Sequence, residues 1–525
     1  MGKSILIILA LVFLSSKGAA EGKVPLSSID DMQVEHLCNP IAIDTKKPRF
    51  SWKLYSNGKD IRQQAYRIIV ATSMEKLEKG EGDLWDSQMV SSPNQLWIDY
   101  QGKALTDGQG AYWKVMVETN NGSTEWSKPA SFGIGLLSET RWGGRWIGLE
   151  RLMDGEERGT HTRMAVRYFR REFALQSKPI RRATAYIAGL GLHRLFINGR
   201  EVGADEVLKP VPSDYRKTIY YNAYDVTSML DTITAVGVAV GNGRYFPMRQ
   251  NKPYKTPVFG LPKCRLNIVV EYADGSTQKL VTDENWKVTA SGPVRSNNEY
   301  DGEEYDARKE LGNWTSPHYD DTNWLKAERA AIPDGVLTPQ MTPNMTAEKV
   351  ANGKLVQGTE RRIVDFGQNM AGWIGVQPCG KAGDTIRIRY AERLAEGGSL
   401  YTANLRDARS EDVYVCNGHE QGSWTPSFVY HGFRYVEITG PVKYESSAIV
   451  AYAVGDKMRR TGHFACSDTL LNRVMENAYW GIRSNYKGMP VDCPQRNERQ
   501  PWLGDRTAGA LGESYVFDNE SLYAK

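Results

Sequence analysis

Asp492-Cys-Pro-Gln-Arg-Asn-Glu-Arg-Gln-Pro-Trp-Leu-Gly-Asp505, near the C-terminal end, is the stretch that says most about this chain. Together with the residue that follows, it holds three carboxylates, three guanidiniums and one indole: Asp492, Glu498, Asp505, Arg496, Arg499, Arg506 and Trp502. Pro494, Pro501 and Gly504 interrupt it too often for a single helix. We therefore predict a rigid loop that directs several acids into one cleft.

The residue types in this loop suit the cleavage of a glycosidic bond. One carboxyl stays protonated and donates to the leaving oxygen, other acids hold sugar hydroxyls, and an aromatic ring packs on the C–H face of the sugar. The alternative interpretation is a surface loop with alternating salt bridges, because exposed ion pairs are common and contribute little. Composition alone favours neither interpretation.

The stretch resembles the signature of the bacterial α-L-rhamnosidases of glycoside hydrolase family 78, which reads approximately D-C-P-x-R-(D)-E-R-x-x-W-x-G-D. The resemblance implies that Glu498 is the general acid. It also implies that four residues bind the sugar: Asp492, Arg496, Trp502 and Asp505. Asn497 stands where many relatives carry Asp, which leaves the acid in place and removes one neighbouring negative charge.

Three strand-patterned regions precede the loop. Residues 21–135 contain alternating apolar and polar runs at 66–71 and 112–118, separated by turns such as Asn120-Asn121-Gly122. Short alternating strands with turns at this spacing predict a β-sandwich. The region resembles the fibronectin-III-like N-terminal domain of the family.

The next two regions, 136–335 and 336–456, are also predicted to be sandwiches. The first has an alternating run at 166–173 and an Asn198-Gly199 pair, which is a strong hairpin signal. It resembles the jelly-roll, carbohydrate-binding-like domain of the family. The second has strand runs at 363–376, 384–390 and 428–438 that match family segments. The glycines at 367, 372 and 375 do not indicate a phosphate loop, because no helical pattern follows them.

The pattern becomes helical after residue 456. Ser467 is predicted to cap a helix in which apolar residues recur at three- and four-residue steps, and a second helix is predicted after Asp505. Residues 457–525 resemble the opening of the family's (α/α)6 barrel. A complete barrel needs about 200 residues, whereas about 70 remain, so we expect an incomplete barrel. The family's general base, a distant downstream glutamate, is then expected to lie outside this chain.

Targeting and composition narrow the location and the partners. Residues 1–20 hold Lys3, an apolar run from Ile5 to Leu14 and a small-residue end, which predicts a secretory signal peptide and a secreted or periplasmic protein. No later segment is long enough to span a bilayer, so membrane insertion is not expected. The net charge of +4 is mild and no long basic block occurs, so nucleic acid is not an expected partner.

The sequence gives little support for a metal or cofactor site. The six cysteines lack C-x-x-C spacing, which argues against a zinc site, and free thiols are favoured over a Cys379–Cys416 disulfide. Calcium stays open as a minor alternative at an acidic loop formed by Asp301, Glu303, Glu304 and Asp306. His431 lies between strand aromatics, and we expect a buried structural histidine there. No cofactor is predicted.

The function that the resemblance implies is hydrolysis of terminal α-L-rhamnose from glycans or glycosides, with inversion. We expect the truncated chain itself to be inactive. The alternative is a secreted carbohydrate-binding protein built from sandwiches, without catalysis. A serine or metal hydrolase is disfavoured, since neither G-x-S-x-G nor H-E-x-x-H occurs.

Overall fold

A computed structural model describes seven stretches of the chain: residues 27–156, 163–247, 258–331, 334–358, 361–419, 421–445 and 447–525. The predicted signal peptide, residues 1–20, lies outside the described residues. The described residues divide into two compact units: residues 27–32 with 50–102 and 112–130, and residues 33–49, 103–111 and 131–525. No helix in the described stretches combines the length and the apolar character that a membrane span requires.

The first unit is built from short antiparallel strands. Its elements are β1 (Ser27–Val34), β2 (Arg49–Ser56), β3 (Gln63–Ala71), α1 (Met74–Glu78), β4 (Trp85–Asp86), β5 (Val90–Ser91), β6 (Ile98–Asp99), β7 (Gly110–Thr119) and β8 (Gly122–Ser123). One sheet has the order β1-β2-β6, and the other has the order β4-β3-β7-β8 with β5 also paired to β3.

The predicted alternation of β7 is confirmed, because Ala111, Trp113, Val115 and Val117 are buried and the residues between them are more exposed. The ring of Trp113 lies 4.7 Å from that of Phe50, in the core of the unit. The predicted turn is also present, since β7 pairs with β8 across it.

The second unit begins with a two-sheet sandwich. In chain order up to residue 339, the strands of this unit are β9 (Ala130–Gly133), β10 (Ile147–Gly148), β11 (Arg167–Ala174), β12 (Ile180–Leu190), β13 (Leu192–Ile197), β14 (Arg200–Glu201), β15 (Glu206–Val207), β16 (Thr218–Asp225), β17 (Ile233–Gly241), β18 (Lys263–Tyr272), β19 (Thr277–Val281), β20 (Lys287–Thr289), β21 (Val294–Asn298), β22 (Gly302–Asp306), β23 (Leu325–Lys326), β24 (Glu328–Arg329) and β25 (Val336–Pro339). Of these, β9, β15, β21 and β22 are not part of the two sheets of the sandwich. One sheet has the order β24-β10-β18-β12-β16-β25, with β19 beside β18, and the other has the order β14-β13-β17-β11-β20-β23.

The two sheets share one apolar core, to which Phe169 of β11, Val238 of β17 and Ile268 of β18 all contribute. Asn198 and Gly199 both have positive φ, 48° and 79°, at the turn that joins β13 to β14. The hairpin predicted from this residue pair is therefore confirmed.

A large sheet follows. Its further strands are β26 (Met345–Asn352), β27 (Lys354–Leu355), β28 (Ile363–Val376), β29 (Thr385–Ala391), β32 (Glu411–Val415), β33 (His431–Thr439) and β34 (Ile449–Asp456), with β30 (Arg393–Leu394) and β31 (Leu400–Tyr401) forming a separate ribbon. The order is β15-β26-β34-β28-β33-β29-β32-β22-β21, with β27 beside β28. Hydrogen-bonded strands therefore run across the boundary predicted between residues 335 and 336. The predicted domain limits stay predictions.

Three helices end the chain: α2 (Thr469–Asn485), α3 (Leu503–Ser514) and α4 (Glu520–Ala524). The predicted cap at Ser467 is wrong, because the side chain of Asp468, one residue later, accepts the N–H groups of Leu470 and Leu471. α3 begins before Asp505 rather than after it, since Pro501 ends the loop and Trp502 is already the N-cap. The expected strand-rich, multidomain architecture with few helices is confirmed.

Candidate active site

The stretch 492–505 forms a loop that leads from α2 into the first turn of α3. Its base is closed by two hydrogen bonds between Asp492 and Gln500. The N–H of Asp492 donates to the carbonyl of Gln500 at 2.9 Å, and the N–H of Gln500 donates to Asp492 Oδ1 at 2.6 Å. The residues between them, which include Glu498, are therefore held in one closed loop, as the proline and glycine pattern predicted.

Arg496 joins two of the predicted acids. Its Nη2 donates to Asp492 Oδ2 at 3.0 Å, and its Nε donates to Glu498 Oε2 at 3.3 Å. Burial opposes the charge of this guanidinium, but Cys493, Glu498 and Asp492 outweigh burial and raise the pKa of Arg496. The Cys493 thiol is itself buried, and burial raises its pKa to about 11. Arg496 is therefore a fixed cation between the two carboxylates.

Glu498 receives donors on both carboxylate oxygens. Oε2 accepts from Arg496 and from Arg406 Nη1 at 2.8 Å, while Oε1 accepts from the indole Nε1 of Trp502 at 3.2 Å. The side chain is only 13% exposed. Such a carboxyl, oriented by three donors at the edge of solvent, has the geometry of a general acid or base that meets substrate from one side.

Trp502 and Asp505 differ in their relation to this network. The Trp502 side chain bonds to Glu498 and remains 46% exposed, so its ring is available for contact with a sugar. Asp505 is exposed on the first turn of α3, and the hydrogen bonds that connect the other four predicted site residues do not pass through it. The structure thus brings together Asp492, Arg496, Glu498 and Trp502, and the role of Asp505 stays a prediction.

Arg499 holds the loop against the β-strands beneath it. Its side chain is fully buried and its backbone φ is +51°. Four backbone carbonyls accept from its guanidinium: those of Glu299, Tyr430, Gln495 and Arg496. Two of these acceptors belong to the loop and two to the strand-rich region, so one side chain connects both.

Aromatic and charged groups also surround Arg499. The Tyr430 and Tyr300 rings lie 4.7 and 5.3 Å from its guanidinium carbon. Arg244 donates from Nη2 to the Arg499 carbonyl at 2.6 Å and forms an ion pair with Glu299. Burial opposes the charge of Arg244, but Glu299 and its other neighbours raise its pKa. These contacts around Arg499 are buried and hydrogen-bonded, which favours a fixed conformation of the loop.

Glycine at position 432, on β33, permits close approach of the loop to the sheet. A Cβ atom at Gly432 would lie 2.6 Å from the Cβ atom of Gln495 and 3.0 Å from its Cα atom. Any larger side chain would push the loop away from the strand. The loop is therefore seated directly on β33.

Several of these residues were missed in the sequence. Arg406, Arg244, Glu299 and Tyr430 lie between 69 and 255 positions before the loop residue that each of them contacts. No local motif connects them to the loop. In the sequence, Arg406 and Arg244 resemble many other arginines that lie near predicted strands. Nothing beside them marks them as residues of the site.

His431 has the structural role that was predicted. It is fully buried, its Nε2 lies 3.0 Å from Asp412 Oδ1, and its Nδ1 lies 3.2 Å from Ser410 Oγ. All three groups are shielded from solvent, so this Ser-His-Asp arrangement is not accessible to a substrate. It supports the strands under the loop.

The acidic loop considered for calcium does not fit a metal ion. The Glu303 carboxylate is buried and accepts the backbone N–H groups of Ser427 and Phe428, while Asp306 pairs with Arg308. Within the described residues, no group of three or more His, Cys, Asp or Glu side chains is placed to hold a metal. No disulfide joins Cys379 to Cys416, as favoured; Cys379 is exposed and Cys416 is buried.

Four family models match consecutive segments of the chain. They are the Rha78A-like N-terminal immunoglobulin domain (residues 29–138), the alpha-L-rhamnosidase N-terminal domain (178–349), the bacterial alpha-L-rhamnosidase concanavalin-like domain (356–455) and the bacterial alpha-L-rhamnosidase 6 hairpin glycosidase domain (459–525). The last of these matches contains α2, the candidate site loop and α3.

Similar proteins cover nearly the whole chain. An alpha-L-rhamnosidase of Formosa agariphila is 36% identical, and the match covers 99% of this chain and 57% of that protein. The alpha-L-rhamnosidase structure from Dictyoglumus thermophilum matches with a TM-score of 0.86 at 36% identity, over 95% of this chain and 57% of that one. The Streptomyces avermitilis enzyme, solved with L-rhamnose, matches with a TM-score of 0.87 at 24% identity, over 95% and 64%, and shows the fold alone. The chain spans little more than half the length of the curated relatives it matches.

Proposed function

Because the chain belongs to the bacterial α-L-rhamnosidase family, glycoside hydrolase family 78, we propose that the protein containing it hydrolyses terminal non-reducing α-L-rhamnose from glycans or glycosides. The observation that supports this most directly is the carboxyl of Glu498, oriented by Arg406, Arg496 and Trp502 at the edge of solvent. The alpha-L-rhamnosidase of Formosa agariphila, 36% identical to this chain, supports the same sugar.

In this proposal each site residue has a separate role. Glu498 donates the proton to the leaving oxygen. Asp492 holds sugar hydroxyls through the lone pairs that its bonds to Gln500 and Arg496 leave on its two carboxylate oxygens. Arg496 and Asp505 supply further hydroxyl contacts. Trp502 packs on the ring or on the C6 methyl group of rhamnose, an apolar contact suited to a deoxy sugar.

The proposed reaction is a single displacement with inversion. Such an enzyme needs a second carboxylate about 6.5 to 9.5 Å from the acid, to activate water on the opposite face of the sugar. The family resemblance assigns that role to a distant downstream glutamate, and no motif in this sequence matches it. We therefore propose that residues 21–525 alone turn over substrate slowly, since general acid catalysis by itself contributes about 10² to 10⁴-fold.

Two further features belong to the proposal. α2 and α3, with the loop between them, form a helical hairpin of the six-hairpin glycosidase domain, as the match over residues 459–525 supports. Export to the periplasm or the medium follows from the signal-like residues 1–20.

The test compares Glu498→Gln with Glu411→Gln in the complete gene product. Glu411 is a matched control, because it is 11% exposed and bonds to two arginines, Arg387 and Arg409. We expect Glu498→Gln to lose at least about 10²-fold in kcat on an alkyl α-L-rhamnoside, and Glu411→Gln to keep its activity. The anomer released first, followed by NMR, reports inversion.

Two outcomes would contradict the proposal. Full activity of Glu498→Gln would remove Glu498 from the role of acid. Rhamnoside binding without turnover by the unaltered gene product would favour the alternative, a carbohydrate-binding protein without catalysis.

A further inference from the structure

Arg406 reaches the candidate acid from a distant part of the chain. Its Nη1 donates to Glu498 Oε2 at 2.8 Å, although 92 positions separate the two residues. This contact is shorter than the 3.3 Å bond from Arg496 to the same oxygen. Arg406 is therefore the closer of the two cations on the carboxylate.

The turn that carries Arg406, between β31 and β32, is anchored on both sides of it. Leu405 and Ala408 are buried with Tyr300 in one apolar cluster. Before Arg406, Asn404 Nδ2 also donates to Glu392 Oε2 at 3.0 Å. Because these contacts fix the flanking backbone, the direction in which the Arg406 side chain leaves the turn is also fixed.

The backbone of Arg406 is in a conformation that favours glycine. Its φ is 60° and its ψ is −116°, a region in which a side chain with a Cβ atom is strained. A glycine would form this turn without that strain. The turn conformation therefore does not explain an arginine at this position. The contact of its guanidinium with Glu498 does.

We propose that Arg406 is a positioning residue for the general acid, which fixes the orientation of the Glu498 carboxyl and sets the pH range in which it stays protonated. This inference rests on the proposed function. With Arg406 removed, Oε2 keeps the longer bond from Arg496 but loses the shorter one, and Oε1 is bonded to the half-exposed Trp502. The carboxyl is then held less firmly and can turn away from the leaving oxygen.

Two signatures separate this role from a purely structural one. First, a group that acts through proton donation matters most when the leaving group is poor. Loss of Arg406 should therefore impair an alkyl α-L-rhamnoside more than p-nitrophenyl α-L-rhamnoside. Second, a nearby cation favours the ionised form of an acid. Loss of the cation should therefore extend activity to higher pH.

The experiment uses the complete gene product and four variants: Arg406→Met, Arg406→Lys, Arg406→Gly and Arg387→Met. Arg387 is the matched control, because it is 49% exposed and lies 2.8 Å from Glu411, whereas Arg406 is 47% exposed and lies 2.8 Å from Glu498. Kinetic constants on both substrates, pH profiles and thermal unfolding are measured for each.

We expect Arg406→Met to lower kcat on the alkyl rhamnoside about 10- to 100-fold with little change in KM, and to lower it less on the nitrophenyl substrate. The basic limb of its profile should move up by about half a pH unit to one unit, as for an ion pair that is partly open to solvent. Arg406→Lys keeps the charge and should leave that limb in place. Arg406→Gly should lose activity like Arg406→Met without a lower unfolding temperature, because it relieves the backbone strain.

The proposal is overturned if Arg406→Met has an unshifted basic limb and equal losses on both substrates, or if Arg387→Met behaves in the same way. Glu498→Gln, measured alongside, keeps this result separate from the proposed function. If Glu498→Gln is inactive and Arg406→Met retains the unaltered kinetics, only the role of Arg406 fails. If Glu498→Gln is fully active, the assignment of the acid fails first.

Discussion

Glu303 should make the stability of this protein depend on pH. Its side chain is fully buried on β22, where the carboxyl accepts the N–H groups of Ser427, at 3.0 and 3.1 Å, and Phe428, at 2.9 Å. Burial, and then the neighbouring Asp412, raise the pKa of Glu303 to about 8, even though the two backbone N–H groups and Arg194 act in the opposite direction. The replacement Glu303→Gln removes the titratable carboxyl and keeps the shape of the side chain.

The size of the effect follows from the shift. With a folded-state pKa of about 8 against an ordinary 4.5, the folded protein binds the Glu303 proton more tightly than the unfolded chain. This preference contributes fully below pH 4.5 and is lost as pH rises towards 8. At about 1.4 kcal/mol for each pH unit, the loss is on the order of 5 kcal/mol, an upper bound for a site that can relax.

Urea unfolding midpoints between pH 5 and pH 8 test this prediction. The unaltered protein should lose stability across the window, whereas Glu303→Gln should show a smaller slope and become the more stable of the two near pH 8. At pH 5 the variant should be less stable by about 1 to 3 kcal/mol, because an amide replaces one acceptor oxygen by a donor. Glu304→Gln is the control, since that neighbour is partly exposed and pairs with Arg409. Parallel slopes for the unaltered protein and Glu303→Gln would refute the reasoning.

Two further predictions concern the loop. Arg499→Lys replaces the planar guanidinium that donates to four carbonyls. It should lower the free energy of unfolding by about 2 to 4 kcal/mol and increase hydrogen exchange at residues 492–502. Unchanged exchange there would contradict the role of Arg499. Trp502→Phe keeps a ring but removes the bond to Glu498, so kcat should fall about tenfold with little change in KM, whereas Trp502→Leu should also raise KM. Equal KM values for the two Trp502 variants would argue against ring contact with the sugar.

The sequence predicted the parts of this molecule that local patterns determine. The alternation of β7, the Asn198-Gly199 hairpin and the change to helices after Asp456 all follow from neighbouring residues, and the structure has each of them. The helix cap was placed one residue too early, because Ser467 and Asp468 are both good caps and only the backbone decides between them.

The sequence predicted which loop residues form the site, but not which distant residues hold them in place. The loop motif carries Asp492, Arg496, Glu498 and Trp502 in one short stretch, and these residues are indeed hydrogen-bonded together. Arg406 comes from a turn 92 residues away, and pairing of that kind depends on tertiary packing that no local pattern records. Asp505, although part of the motif, faces solvent on the described structure.

The seating of Arg499 has a consequence for protein engineering. Because this guanidinium bonds to carbonyls of Glu299 and Tyr430 as well as to those of the loop, one side chain links the helical hairpin directly to the strands beneath it. Gly432 adds a steric requirement at the same place. A graft of the hairpin onto the sandwiches of another relative would therefore have to carry the matching surface at positions 299, 430 and 432, or the transplanted loop would lose its alignment even with every residue of its motif intact.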